Sequence, residues 1–188
     1  MKKTTFSVKR LVLDAVLVAL YVVLGFVKIP IGNILRINFA AFAVVICAVA
    51  FSPIDGFAVG FLGEFLSQVL GPYGLTPTTL LWSLPLGVQG LLLGFAMVLL
   101  ARKGITLSTM KQPKSFMWYM LACIVAGLAA SLLNTLALYV DSKMFGYYNY
   151  YMVFGILLVR LGLSVVLSVL FGSVTLPVVS ALQRNKII

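Results

Sequence analysis

The chain has 188 residues, 62% hydrophobic and 10% charged, with a mean hydropathy of +1.14 and a formal net charge of +10. Soluble domains run at about 45–50% apolar and about 25% charged, so this composition excludes a water-soluble globule. About 20 residues cross a hydrocarbon core roughly 30 Å thick, so the length predicts one all-α integral membrane domain over residues 1–188, with six transmembrane helices and short loops.

Helix one is expected over Leu11 to Val27, stopped by Lys28 and Pro30. It is too long for a secretory leader and lacks the small-residue cleavage signal, so it reads as a retained helix. Helix two is expected from about Asn38 to Phe51, ending before Pro53, and is short for a span. Pro and Gly punctuate the later boundaries. Helix three is expected over Asp55 to Leu70, helix four over Thr78 to Leu100, helix five over Phe116 to Val140 and helix six over Tyr150 to Leu176. In helix three, Gly56 and Gly60 form a GxxxG that permits close helix contact.

Lys and Arg in short loops resist translocation and so record orientation. One side collects Lys2, Lys3, Lys9, Arg10, Arg102, Lys103, Lys111, Lys114, Arg184 and Lys186. The other has Lys28, Arg36 and Lys143, and Arg160 falls inside a span. Both termini are therefore expected in the cytoplasm, with segments 28–37, 71–77 and 141–149 outside. Because the cations lie between apolar spans and form no solvated basic face, no nucleic-acid partner is expected.

There is no histidine, and Cys47 and Cys123 lie in apolar stretches without metal-ligand spacing. No metal, no cofactor and no catalytic residue are expected. No GxxxxGK[ST] loop is present to cradle a nucleotide.

The outer segments carry most of the polar and aromatic chemistry. The first contains Arg36 and Asn38, the second Thr76, and the third Asp141, Tyr147 and Asn149. The tyrosines around position 150 suit an interfacial belt, or rings that also cover a ligand. Ionisable groups inside spans usually face a cavity or a partner. Glu64 shares a helix face with Gly60 and Gln68, and Arg160 falls near the midplane. The two predict either an ion pair locking helices three and six, or an Arg160 that touches a ligand. Asp14, four residues after Arg10, is expected to pair with it along the helix. Trp82 and Gln89 share one face of helix four, and Ser131 and Asn134 share a face of helix five that extends to Asp141. Asn134 reads as interhelical glue or as a ligand contact.

This pattern resembles the substrate-binding subunit, or S component, of energy-coupling factor (ECF) vitamin importers. The resemblance covers nearly the whole chain and is carried by length, topology, the Ala15 and Ala19 AxxxA of helix one, Leu35-Arg36-Ile37-Asn38-Phe39, and the segment from Pro53 to Glu64. It implies a bacterial, multi-pass plasma-membrane protein that captures a vitamin-sized small molecule from outside, beneath the outer loops. It further implies partners: a transmembrane coupling subunit docking on Ala15 and Ala19, and two cytoplasmic ATPase subunits.

The stretch from Leu70 to Trp82 looks most like the pantothenate, pyridoxine and hydroxymethylpyrimidine branch. Arg36 and Arg160 favour a carboxylate and hence pantothenate, since an Arg fork matches that group. An aromatic vitamin stacking on Trp82 or Tyr147, with Glu64 or Asp141 accepting from a ring amine, is the alternative. The expected substrate-binding set is Arg36, Asn38, Glu64, Thr76, Trp82, Gln89, Asn134, Tyr147, Asn149 and Arg160. An integral-membrane enzyme or a stand-alone facilitator are the readings from other classes.

Overall fold

Capping chemistry and prolines place two of the helix starts. Ser52 accepts a hydrogen bond from the Asp55 N–H at 3.3 Å and Pro53 occupies the first turn behind it, so α3 (Pro53–Val69) starts where its cap and its proline dictate. The fifth helix likewise starts on a proline. A computed structural model describes residues 8–31, 35–72 and 74–186. In chain order the helices are α1 (Val8–Phe26), α2 (Ala41–Ala50), α3, α4 (Thr79–Arg102), α5 (Pro113–Met144) and α6 (Leu157–Arg184). A 3-10 turn at Thr109–Lys111 precedes α5, and a π turn at Tyr151–Gly155 precedes α6.

Among the described residues six helices are present, as expected, but they are not six equal spans. Three segments among those residues are long and apolar enough to cross a membrane: Thr79–Arg102, Pro113–Met144 and Tyr151–Arg184. Helix α1 has 19 residues but carries Lys9, Arg10 and Asp14 in its first two turns. Helix α2 has only 10 residues, about 15 Å of rise and half a bilayer, and Ala43 through Val49 are buried. It is a core helix, packed against α1, α3, α4 and α6.

Three expectations need correction. Segment 28–37 was expected to be an outer loop, whereas Lys28–Ile31 (β1) pairs antiparallel with Leu35–Asn38 (β2), Ile29 opposite Ile37. The apolar residues alternate on both sides of a short glycine-containing connection, which is a hairpin signature. Helix six does not run unbroken from Tyr150 to Leu176: a π turn precedes it, and it continues past Pro177 to Arg184. A proline inside an apolar span is tolerated because neighbouring helices satisfy the freed backbone groups. The π turn puts Arg160 in the first turn of α6 and not midway down a continuous helix.

Helices α3 and α4 meet along a glycine seam. A Cβ added at Gly60 would lie 2.3 Å from the Leu86 carbonyl oxygen, and one at Gly90 2.1 Å from that of Gly56. In lipid, where apolar burial does not distinguish helix from solvent, such backbone approach is a main source of association. The seam runs on to Gly94, whose position faces Pro53. Opposite it, the Tyr21 ring of α1 lies against Gly63.

Polar side chains tie α1 to the bundle, though not as expected. Arg10 pairs with Asp55 of α3, the ion pair found among the described residues, and not with Asp14. Asp14 instead accepts from the Cys47 thiol at 3.7 Å. Tyr21 Oη donates to Glu64 Oε2 at 2.6 Å and Gln68 Nε2 donates to Glu64 Oε1 at 2.8 Å. The expected lock between Glu64 and Arg160 is replaced: Arg160 Nη2 donates to the Met152 carbonyl at 2.8 Å. Lys9 Nζ donates to the Lys186 carbonyl at 3.0 Å, so the start of α1 and the end of α6 lie at the same end of the bundle.

Candidate functional site

Helical spacing builds one wall of the site from each of three helices. On α4, Trp82, Leu86 and Gln89 recur at four and three residues; on α5, Gly127, Ala130, Ser131, Asn134 and Leu138 form one stripe. On α6 the stripe is Arg160, Leu163, Ser164, Leu167, Ser168 and Phe171. These faces enclose, with Asn38 at the end of β2 and Ala41 at the start of α2, a cavity of about 550 Å³. That is within the range of about 300–1,000 Å³ typical of small-molecule sites.

Gly127 makes the cavity's α5–α6 side possible, since a Cβ there would meet Ser168 Oγ at 2.1 Å. At its inner end Phe171 packs against Phe39 and Phe42, with ring centroids 6.2 and 5.9 Å apart.

The chemistry of the lining is one-sided. Arg160 is its one cation and no carboxylate lines it among the described residues. Asn38, Gln89, Ser131, Asn134, Ser164 and Ser168 supply amides and hydroxyls, and Trp82 and Phe171 supply rings. Gln89 is only 7% exposed, yet its amide has no hydrogen-bond partner among the described residues, and neither has that of Asn134. Asn134 is exposed and both amides line the cavity, so their donors and acceptors are free to meet whatever enters it. Arg160 commits one N–H to Met152, leaving further donors of a group that carries five.

Five of the ten expected binding residues therefore come together: Asn38, Trp82, Gln89, Asn134 and Arg160. The others stand elsewhere. Thr76 belongs to a hydroxyl cluster at the start of α4, its N–H donating to Thr79 Oγ1 at 2.9 Å and its Oγ1 lying 3.2 Å from that of Thr78. Asn149 Oδ1 caps the π turn, accepting from the N–H groups of Tyr151 and Met152 at 2.9 and 3.4 Å. Tyr147 donates its hydroxyl to Asp141. Glu64 is engaged between α1 and α3. Arg36 lies in β2, but its side chain is outside the described residues. Ser164, Ser168 and Phe171 were not anticipated, although stepping by three and four from Arg160 reaches each of them. Ala15 and Ala19 are exposed on α1, beside Leu11, Val12, Val16 and Val23.

Comparison with known families matches residues 5–184 to the ECF-type riboflavin transporter, S component. Among curated proteins, a UPF0397 protein of Streptococcus gordonii is 37% identical over 94 residues, 48% of each chain. A UPF0397 protein of Streptococcus pneumoniae is 32% identical over 92 residues, 47% of this chain and 48% of that one. The aligned stretch thus spans about half the length of these relatives.

Proposed function

From the premise that this chain belongs to the ECF-type riboflavin transporter S component family, we propose that it is the substrate-capturing subunit of a vitamin importer and that the cavity among α4, α5 and α6 is its binding site. The observation that carries this reading is a cavity of about 550 Å³ lined by amides, hydroxyls, two aromatic rings and the Arg160 guanidinium. In this reading the protein is one membrane domain of six helices with both termini in the cytoplasm. The cavity, strands β1 and β2 and the connections 74–78 and 145–150 face outward.

The lining chemistry selects a neutral or singly anionic ligand rich in hydroxyl and amide groups. A cationic ligand would meet Arg160 and no carboxylate. Pantothenate fits, with its carboxylate on Arg160 and its hydroxyls and amide on Gln89, Asn134 and the serines. Riboflavin, which the family's description names, is favoured by a different observation: the Trp82 and Phe171 rings, which suit a planar ligand.

The exposed Ala15 and Ala19 face of α1 is the docking surface for a transmembrane coupling subunit, and two ATPase subunits supply the energy. Titration of the purified protein with pantothenate, riboflavin, pyridoxine and hydroxymethylpyrimidine tests the reading. One of them should bind one-to-one at submicromolar affinity without ATP hydrolysis, and Arg160→Ala should weaken an anion more than a neutral ligand. Saturable uptake into vesicles by this chain alone would support a facilitator instead.

A further inference from the structure

Asp141 lies in the last turn of α5, three residues beyond Leu138, so it sits one turn outside the cavity wall on the same helix face. Thr78 stands four residues before Trp82, one turn outside the wall on α4. The Thr78 hydroxyl donates to Asp141 Oδ1 and the Tyr147 hydroxyl donates to Oδ2. One carboxylate thereby joins two connections that are remote in sequence, at the rim where the cavity meets the outer end of the bundle.

Asp141 is 8% exposed, and among the described residues no cation pairs with it; Lys143 Nζ stands instead 4.1 Å over the Tyr148 ring. A buried carboxylate without a cation depends on its hydroxyl donors, and losing one of them leaves an oxygen desolvated and unpaired. The far end of the same connection is also held. Asn149 caps the π turn, and the Met152 carbonyl in that turn accepts from Arg160 of the cavity wall. Segment 147–152 is therefore tied to the rim at one end and to the binding wall at the other.

We propose that Asp141 is a positioning residue that clasps the connections around Thr78 and Tyr147 across the cavity mouth and sets how fast a bound ligand leaves. The ligand half of this inference rests on the capture function proposed above; the clasp itself does not. With the clasp closed, the two connections move as one lid. With it broken, each opens separately and the ligand escapes more often.

The test has two arms on the full-length protein. In the first, with no ligand present, amide hydrogen exchange is measured over residues 74–79 and 145–152 in wild type, Asp141→Asn, Thr78→Val and Tyr147→Phe. Exchange should rise in both segments for every variant, including the segment that was not mutated, while α2 and the α3–α4 seam stay protected. In the second, dissociation of radiolabelled pantothenate and of riboflavin is timed. The rate should increase at least tenfold in Asp141→Asn, with a smaller increase in each single-arm variant, and Asp141→Asn combined with Tyr147→Phe should be no faster than Asp141→Asn alone.

Exchange that rises only in the mutated segment, or not at all, overturns the clasp. Coupled exchange with an unchanged dissociation rate overturns its role in retention. If neither vitamin binds wild type, the second arm is run with whichever B-group vitamin does, and if none binds the capture reading fails while the first arm still decides the clasp. If Asp141→Asn does not fold, the two single-arm variants carry both arms.

Discussion

Gln89→Leu separates binding from stability. The side chain is 7% exposed on the cavity wall and has no hydrogen-bond partner among the described residues, so the folded protein loses no internal bond when the amide goes. Leucine is of similar size and keeps the packing of the side-chain stem against the cavity wall. Thermal stability without ligand should change little.

Binding moves the other way. A neutral hydrogen bond contributes about 0.5–1.5 kcal/mol net, and the ligand group that met Gln89 would be left buried and unpaired, at about 1–3 kcal/mol. A loss of about 1–3 kcal/mol corresponds to roughly 5- to 150-fold in Kd. Calorimetric titration gives the affinity, and a melting curve in detergent gives the stability. Unchanged affinity would show that the amide does not touch the ligand. A large fall in ligand-free melting temperature would show that it pairs within the protein, and the argument from its unpartnered state would be wrong.

Gly60→Ala places a methyl group 2.3 Å from the Leu86 carbonyl and should destabilise the bundle by at least about 1–3 kcal/mol, seen as a lower melting temperature. Gly162→Ala meets nothing within 4 Å and should be neutral or stabilising by up to about 1 kcal/mol from helix propensity; equal effects at both sites would refute the seam. Ala15→Trp or Ala19→Trp should abolish uptake in cells that contain the coupling module while leaving ligand affinity intact, and lost affinity with retained assembly would move the docking surface elsewhere. Partial burial and the hydrogen bond to the Asp141 carboxylate push the Tyr147 phenol up to about 12. The folded state then holds a proton that the unfolded chain gives up near pH 10, so this contribution to stability is complete below pH 10 and is lost as pH rises toward 12. Ultraviolet difference titration of wild type against Tyr147→Phe should show one phenol ionising late, and no late-ionising phenol would contradict the contact.

Features with a helical period were legible in the sequence. The faces of Trp82 with Gln89 and of Ser131 with Asn134 are cavity faces, and the glycine spacing of α3 marks its seam with α4. The helix starts were read late: helix three was expected from Asp55 and helix five from Phe116, whereas the prolines open the first turns at Pro53 and Pro113.

Contacts between residues far apart in the chain were not legible, since spacing carries no information about them. Arg10 had an acidic neighbour one turn away in Asp14 and bonded Asp55 instead, 45 residues on. Thr78 and Asp141, 63 residues apart, gave no local sign of their bond. The hairpin was missed for another reason: Pro30 reads as a breaker, yet it sits in a two-stranded ribbon where an edge strand tolerates a residue without an N–H. Arg160 stayed ambiguous because its partner is a backbone carbonyl exposed by a π turn, and that turn is set by the Asn149 cap and the packing of Tyr151 on Gly155.

If this chain captures a vitamin by itself, in the cavity walled by α4, α5 and α6, native mass spectrometry of the purified protein followed by calorimetric titration across the B-group vitamins will find it. One vitamin-sized ligand per chain should bind at submicromolar affinity and be released or weakened by Gln89→Leu. No binding across the whole panel, or binding indifferent to Gln89, Asn134 and Arg160 together, would contradict capture in that cavity.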